Sequence, residues 1–531
     1  MSISALLGTV SYHPRTPATD RAVWITLLPS ADLAVDDLVL IEDGHDQMLG
    51  SVTAVELTHP AGVPTAAISR TTLERRAHIA LLSSSHRRLR PPVGTRVRHP
   101  SPIETTTLLA EARLIAPEQR VPLAVLPTPD GYAPLFADLR RLVGPIATSM
   151  LISGAAGSQK TTAGGLVLAG IRHVTQGQAA VVIINSKGAD FLFAEYARQD
   201  WERHPQIPPL RPADLAMYAA MGYATPPTFA PLTVFVPHTS DRAWQSLRPA
   251  DFPNTETYAL SQQVAIAYAA SPTDEDERAT SVVTRQCIEE VAGPFAAEFD
   301  LTTLPAITAA LRDIVANLSE RGRWRNFLAT TVAAALRQLQ AAERDLGPIL
   351  AARGVAAGFP VERLAKGGTW VIDVAPLPQR AAQAVLDAVV SSLTRAKAQG
   401  TLPLTLPLVL LVDELNRWSA VGPTAARLAA IVRDQRYRRV ALIGLGQQLS
   451  TLHPQLLANA DAMWMGTTRS LEASDPTYAT LPAVLRTRLH RLPPGQRVLD
   501  MWPFAQPLLT TIPYPAWLTA DEGLVVLEAT K

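Results

Sequence analysis

The chain of 531 residues has one cysteine, Cys287. A single thiol excludes internal disulfides and any zinc cluster built on cysteines, and within VVTRQCIEEV it is expected to be a packed thiol on a helix. An excess of charge of one sign is missing too: 48 Lys and Arg stand against 47 Asp and Glu, a net charge of +1. A protein that coats nucleic acid over its whole surface is more basic, so any such contact has to be local, on loops lining a channel. No apolar run reaches the roughly 20 residues of a membrane span. The longest, TLPLTLPLVLLV at 401–412, is broken by prolines and reads as a buried strand. The N-terminal MSISALLGTVSYHPR has no basic start ahead of a long apolar block, so no secretory signal is expected and the reading is cytoplasmic, with no membrane partner.

What is present is a globular composition, 47% hydrophobic and 18% charged, on a chain long enough for two or three domains. In residues 1–100, short β-rich runs (22–28, 37–41, 48–55, 66–68 and 79–82) separated by Pro, Gly and Asp turns predict a small β-barrel or sandwich. A proline-punctuated connector follows from about 90 to 145. Arg87, Arg88, Arg90, Arg96 and Arg98 at its start read as a solvated barrel rim in preference to a nucleic-acid patch. From Ser149 the pattern becomes SMLIS as strand, TAGGLVLAGIRHV as helix and AAVVIIN as strand. This βαβ grammar predicts a mainly parallel sheet. Residues 195–365 interrupt it with four stretches at helical spacing and an acidic loop, PTDEDER at 272–278. Alternation resumes with TWVIDV and runs through PLVLLVDE and VALIGLGQQ to a β-like end. The expected fold is α/β: a barrel over 1–100, a core divided between 101–194 and 366–531, and a helical insertion over 195–365.

The stretch SGAAGSQKTT at 153–162 carries the chemistry. A phosphate-binding loop needs a strand, a turn of small residues exposing backbone N–H groups, and a helix whose N-terminus faces the anion. Gly154, Ala155, Ala156, Gly157, Ser158 and Gln159 supply the turn; Lys160 would reach the β- and γ-phosphates, Thr161 would ligate magnesium, and Thr162 continues into the helix. Against G-x-x-x-x-G-K-[ST], Gln159 replaces the second glycine. At negative φ that replacement costs little; at positive φ it is strained. The second constellation is LVLLVDE at 408–414, an apolar strand delivering Asp413 and Glu414 to its C-terminal edge. Asp413 would hold magnesium and Glu414 would polarise an attacking water. An apolar strand ending in DE also suits a helix N-cap. Gln447, ending the next strand, is placed to sense a γ-phosphate or to be a plain polar terminus. In RDQRYRR, Arg436 and Arg439 are candidates to reach a neighbour's nucleotide, against the alternative of a basic helix C-terminus. Loops around Lys187 to Asp190, and the RGRWR stretch (Arg321, Arg323, Arg325), are candidate pore contacts; an exposed helix terminus is the simpler reading of the latter.

In this order along nearly the whole chain, the segments resemble the HerA-like hexameric ATPases of the FtsK/HerA group. LLGTVSYH, DDLVLIEDGHDQMLGSVTAVE and PPVGTRVRH look like that family's N-terminal barrel, which is similar to the barrel of ATP synthase subunits. The loop at 153–162 is similar to its G-x-T-G-S-G-K, and VVIINSKGADF to a strand ending in D-P-H-G-E or D-P-K-G-E. RYRRVALIGLGQQ resembles G-R-K-Y-G followed by A-T-Q-R-P-S, and LPPGQRVL resembles L-x-x-G-E-A. Asn185, Ala189, Gly446 and Gln448 depart from those patterns. The resemblance implies a RecA-like P-loop core of the additional-strand class with a helical insertion, using ATP and Mg2+. It further implies a homohexamer that moves double-stranded DNA through its central pore. A partner nuclease, NurA-like or another effector, would dock on the N-terminal barrel and act in end resection, repair or phage defence. The second expectation is a hydrolysis-weak nucleotide-binding ring that scaffolds such an effector. Conjugative coupling ATPases share the core but are usually membrane-anchored, and rotary subunits share only the barrel.

Overall fold

The computed structural model describes residues 6–11, 22–44, 46–58, 74–84, 91–109, 115–144, 149–271, 278–319, 321–352, 356–419, 423–502, 504 and 506–529. Strands β1 (Leu6–Ser11), β2 (Ala22–Leu27), β3 (Leu38–Asp43), β4 (Asp46–Thr58), β5 (Glu74–Ser84) and β6 (Arg96–Arg98) close into a barrel in the order β1-β2-β5-β4-β3-β6. Closure removes the free edges a small sheet would otherwise present. The inward residues, among them Val23, Ile25, Val39, Ile41, Ile79 and Val97, form a core of their own. The expected run at 66–68 lies outside the described residues, as do Arg87, Arg88 and Arg90.

Arg98 is a structural tie, pairing with Glu42 at 2.7 Å and with Glu104 at 2.5 Å. It thereby joins β6 to β3 and to the helix Pro102–Leu108, which starts on a capping box between Ser101 and Glu104. Arg96 is exposed on the rim.

The remaining strands are β7 (Arg120–Thr128), β8 (Gly131–Asp138), β9 (Ser149–Ser153), β10 (Ala180–Asn185), β11 (Leu232–Pro237), β12 (Thr255–Tyr258), a small hairpin β13 (Arg323–Trp324) and β14 (Phe327–Leu328), β15 (Gly368–Asp373), β16 (Leu408–Val412), β17 (Val440–Gly446), β18 (Ala462–Met465), β19 (Gln496–Met501) and β20 (Leu508–Thr511). All but the hairpin join one 12-stranded sheet in the order β12-β11-β15-β10-β16-β17-β9-β18-β19-β20-β7-β8. From β12 to β18 neighbours run parallel. From β18 to β8 the pairing is antiparallel.

Parallel strands covered on both faces read as unbroken apolar runs, and every residue of β10 and of β16 is buried. Alternate side chains feed opposite layers. Val181, Ile183, Val409 and Leu411 pack with Leu166 and Ile171 of the helix Lys160–Val174. Val182, Ile184, Leu410 and Val412 pack with Val385 and Leu386 of the helix Gln379–Gln399. The fold is therefore α/β, a RecA-like P-loop core preceded by a closed barrel. β17 lies between β9 and β16, as the additional strand.

Residues 195–365 hold strands as well as helices. β11 pairs with β15, and β12 with β11, so this stretch extends the core sheet before it turns helical. Short apolar runs set among prolines, FAPLTVFVP in particular, hide this in the sequence. The helices Gln262–Ala269, Arg278–Glu290, Leu304–Asn317 and Ala329–Leu346 then form the expected helical part. Of PTDEDER, 272–277 lie outside the described residues. The RGRWR stretch supplies β13 and the turn of the β13–β14 hairpin and is not a helix terminus, with Arg325 at positive φ in that turn. Cys287 is free and buried, its thiol pushed up to about 11 by burial, which fits a packed side chain.

Candidate nucleotide site

The C-terminal edge of the parallel strands carries the site. β9 ends at Ser153 and the helix beginning at Lys160 follows, with Gly154 at φ 148° and Gly157 at φ 78° in the turn between. The backbone N–H groups of Gly157, Gln159, Lys160 and Thr161 have no backbone acceptor among the described residues. An array of free N–H groups at a helix start is what a phosphate chain requires. Gln159 is left-handed, at φ 59° and ψ 38°. A non-glycine residue there costs about 1–2 kcal/mol, so the strained alternative foreseen for this position holds. A Cβ at Gly495 would lie 3.4 Å from Gln159 Oε1, which places that oxygen against the Gly495 turn, buried and without a hydrogen-bond partner.

Lys160 folds back onto its own loop, donating to the Ala155 carbonyl at 3.2 Å. Burial lowers its pKa, opposed by the charges of Glu414 and Asp413. Thr161 Oγ1 donates to Asp190 Oδ2 at 3.3 Å. Asp190 was grouped by sequence with the pore-loop candidates; its side chain turns toward the phosphate loop instead, while Lys187 and Gly188 are exposed. Burial raises the Asp190 pKa, and Glu414 adds to the rise.

Asp413 is 3% exposed, and its Oδ2 is buried with no partner. Burial, reinforced by Asp190 and Glu414, pushes its carboxyl up to about 7. Its backbone carbonyl is pinned by Ser186 Oγ at 2.9 Å and by Trp418 Nε1 at 2.9 Å, so the backbone that carries the side chain is held in place. Glu414 is itself at positive φ, 50°, and both its oxygens accept from Gln447 Nε2, at 3.3 and 3.1 Å. The additional strand β17 thus delivers Gln447 to the glutamate.

Asn416, which the sequence did not flag, fastens the two loops together. Its Oδ1 accepts from Gln447 N at 2.6 Å, and its Nδ2 donates to the Gln448 carbonyl and to Thr451 Oγ1, each at 2.5 Å. A Cβ at Gly446 would lie 2.7 Å from Asn416 Oδ1, so the glycine makes room for that amide.

Asn185 donates to Asp373 Oδ1 at 2.9 Å, and Ser246 Oγ donates to Asp373 Oδ2 at 2.5 Å. Asp373 is fully buried, and burial pushes it up to about 6 against these donors. With an acid already on β15, an amide on β10 avoids two adjacent buried carboxylates.

Arg436 and Arg439 lie at the opposite end of β17 from Gln447, roughly 20 Å away at about 3.3 Å per residue. Neither reaches the phosphate loop of this chain. Arg439 donates to the Thr405 carbonyl at 3.1 Å and Arg433 pairs with Asp434 at 2.7 Å, whereas Arg436 has no ion pair among the described residues. Arg325 of the hairpin is neutralised by Glu290 and by Glu298.

The donor set fits a small hard cation. Asp413 offers an orphaned buried oxygen and Thr161 a hydroxyl, with Asp190 beside them. Among the described residues no three of His, Cys, Asp and Glu converge as a complete cage. Magnesium commonly takes one or two carboxylates and draws its other oxygens from phosphates and water. No described helix is long and apolar enough to cross a membrane.

No family model matches the chain, and no curated protein does. Solved structures that are similar in part include the plasmid coupling protein TrwB in complex with ADP and Mg2+, at 12% identity and a TM-score of 0.47 over 73% of this chain and 90% of that one. VirB4 of Thermoanaerobacter pseudethanolicus is 14% identical with a TM-score of 0.46, over 75% of this chain and 97% of that one. The genome packaging NTPase B204 from Sulfolobus turreted icosahedral virus 2, in complex with AMPPCP, is 13% identical with a TM-score of 0.23, over 29% of this chain and 72% of that one. Likeness at this level assigns no activity to the chain.

Proposed function

We propose that the chain is a P-loop ATPase that works as a ring, a homohexamer in the cytoplasm, to move double-stranded DNA. The observation that carries this reading is the convergence on one sheet edge of a loop of free N–H groups with Lys160 and Thr161, an orphaned buried Asp413 oxygen, and a Glu414–Gln447 pair. The N–H groups of the loop would cradle the β- and γ-phosphates, and Lys160 would exchange the Ala155 carbonyl for phosphate oxygens. Thr161 and Asp413 would hold magnesium, with Asp190 accepting the Thr161 hydroxyl; the ion supplies neutralisation of phosphate charge. Glu414 would orient the attacking water and take its proton, with Gln447 fixing the carboxylate. Arg436, without an ion pair among the described residues at the far edge, is the better candidate to serve a neighbouring subunit's nucleotide. The barrel over 1–100 would receive a nuclease partner, NurA-like or another effector, in end resection, repair or phage defence.

The left-handed backbone of Gln159 favours a second reading, a ring that binds nucleotide, turns it over slowly and scaffolds the effector. ATP hydrolysis by the purified protein, with and without linear double-stranded DNA and beside Lys160→Ala, tests both. DNA-stimulated turnover lost in the variant supports the translocase. Bound nucleotide without turnover supports the scaffold, and no nucleotide binding overturns both.

A further inference from the structure

Arg497 is the least expected residue near the loop. It is 0% exposed, and a buried arginine ordinarily brings a carboxylate with it. This one has no ion pair among the described residues. Its Nη1 donates to the Ser158 carbonyl at 2.8 Å, and its Nη2 donates to the Ser153 carbonyl at 2.5 Å and to the Trp464 carbonyl at 2.9 Å. Nε is buried without a partner. The neighbourhood is shaped to admit it: a Cβ at Gly466 would lie 2.8 Å from Nη1. Two of the three carbonyls are the shoulders of the phosphate loop, one just before Gly154 and one just before Gln159.

We propose that Arg497 is a positioning residue that holds the loop in its phosphate-binding shape from behind, standing in for the glycine that Gln159 replaces. The inference rests on the nucleotide-binding reading above. In a trans peptide C=O and N–H point opposite ways. A guanidinium holding the Ser158 carbonyl inward therefore fixes the Gln159 N–H outward, toward the mouth of the loop. The same bond opposes the swing by which Gln159 would escape its left-handed conformation, which glycine adopts unaided. The bonds are charge-assisted and therefore strong. A positive charge with no acid paired to it among the described residues also sits behind the loop where phosphates would bind.

The test is an equilibrium titration of the full-length protein with a fluorescent ATP analogue, mant-ATP, across a double-mutant cycle. Arg497→Met is expected to weaken binding at least about 10-fold, and Arg497→Lys, which keeps the charge but not the fork, by an intermediate factor. The affinity of Gln159→Gly alone is measured as the reference for the double variant. In the Gln159→Gly background the Arg497→Met loss should shrink several-fold, which a merely structural arginine would not show. Unchanged affinity in Arg497→Met, or an equal loss in both backgrounds, overturns the proposal. Should Arg497→Met not fold, Arg497→Lys carries the same cycle. Wild type and Lys160→Ala separate the two levels. Failure of wild type to bind mant-ATP removes the nucleotide reading itself. Wild-type binding that Lys160→Ala loses and Arg497→Met keeps removes only the role of Arg497.

Discussion

Two strand ends on the same sheet edge both finish in a buried aspartate, and they differ in a way that separates architecture from chemistry. Asp373, ending β15, has donors on both oxygens, from Asn185, Ser246 and the Ala375 N–H. Asp413, just past the end of β16, is equally buried but keeps Oδ2 without a partner, beside Lys160, Asp190 and Glu414. A buried polar atom left unsatisfied is costly, and a fold that retains one while holding its backbone in place is set up for something that arrives later. The satisfied acid belongs to the scaffold. The unsatisfied one is the carboxylate proposed above to hold a cation.

The contrast can be broken by substitution. The largest effect is expected next to Asp413: Glu414→Gln should lower ATP turnover by about 10²–10⁴-fold with nucleotide binding retained, measured as steady-state hydrolysis beside a mant-ATP titration. Asp413→Asn should lower magnesium-dependent turnover on the order of 10²-fold without lowering the melting temperature. Asp373→Asn should leave turnover within about 3-fold, and equal losses in the two aspartate variants would erase the distinction.

The scaffold aspartate should show itself through pH. Its folded pKa of about 6 lies above the unfolded value, so the protonated form is favoured in the fold. The stabilisation it contributes is full below about pH 4 and is lost as pH rises through 6, a span worth about 3 kcal/mol. Melting temperatures of wild type and Asp373→Asn should therefore diverge by a few degrees between pH 4.5 and 7, with the variant gaining at the higher pH. The smallest effect is expected from Gln159→Gly. Relief of the left-handed strain, less the added entropy of glycine, should raise stability by about 0.5–1 kcal/mol, read from denaturant midpoints.

Much of this edge was legible in the sequence because strand, turn and helix succeed one another over a few residues. The loop at 153–162 and the DE after LVLLV sit where apolar runs end, and Lys160, Thr161, Asp413, Glu414 and Gln447 come together as their spacing suggests. What stayed hidden depends on contacts between distant segments. Asn416 bridges two loops whose proximity follows only from β17 lying beside β16. Asp190 points toward the phosphate loop because of how the loop after β10 turns. Arg497, at the alanine position of the L-x-x-G-E-A pattern, reaches two of its three partners more than 330 residues earlier in the chain. The sign of φ at Gln159 is likewise a property of the folded loop, and β11 and β12 were masked by the prolines around them.

The most direct test of the difference between the two aspartates is the affinity of wild type and Asp413→Asn for ATP, measured by calorimetry with excess Mg2+ and again in EDTA. Wild type should bind at least about 10-fold tighter with magnesium, and Asp413→Asn should lose that dependence. Equal affinity with and without magnesium in wild type would contradict the assignment of the orphaned carboxylate to a cation.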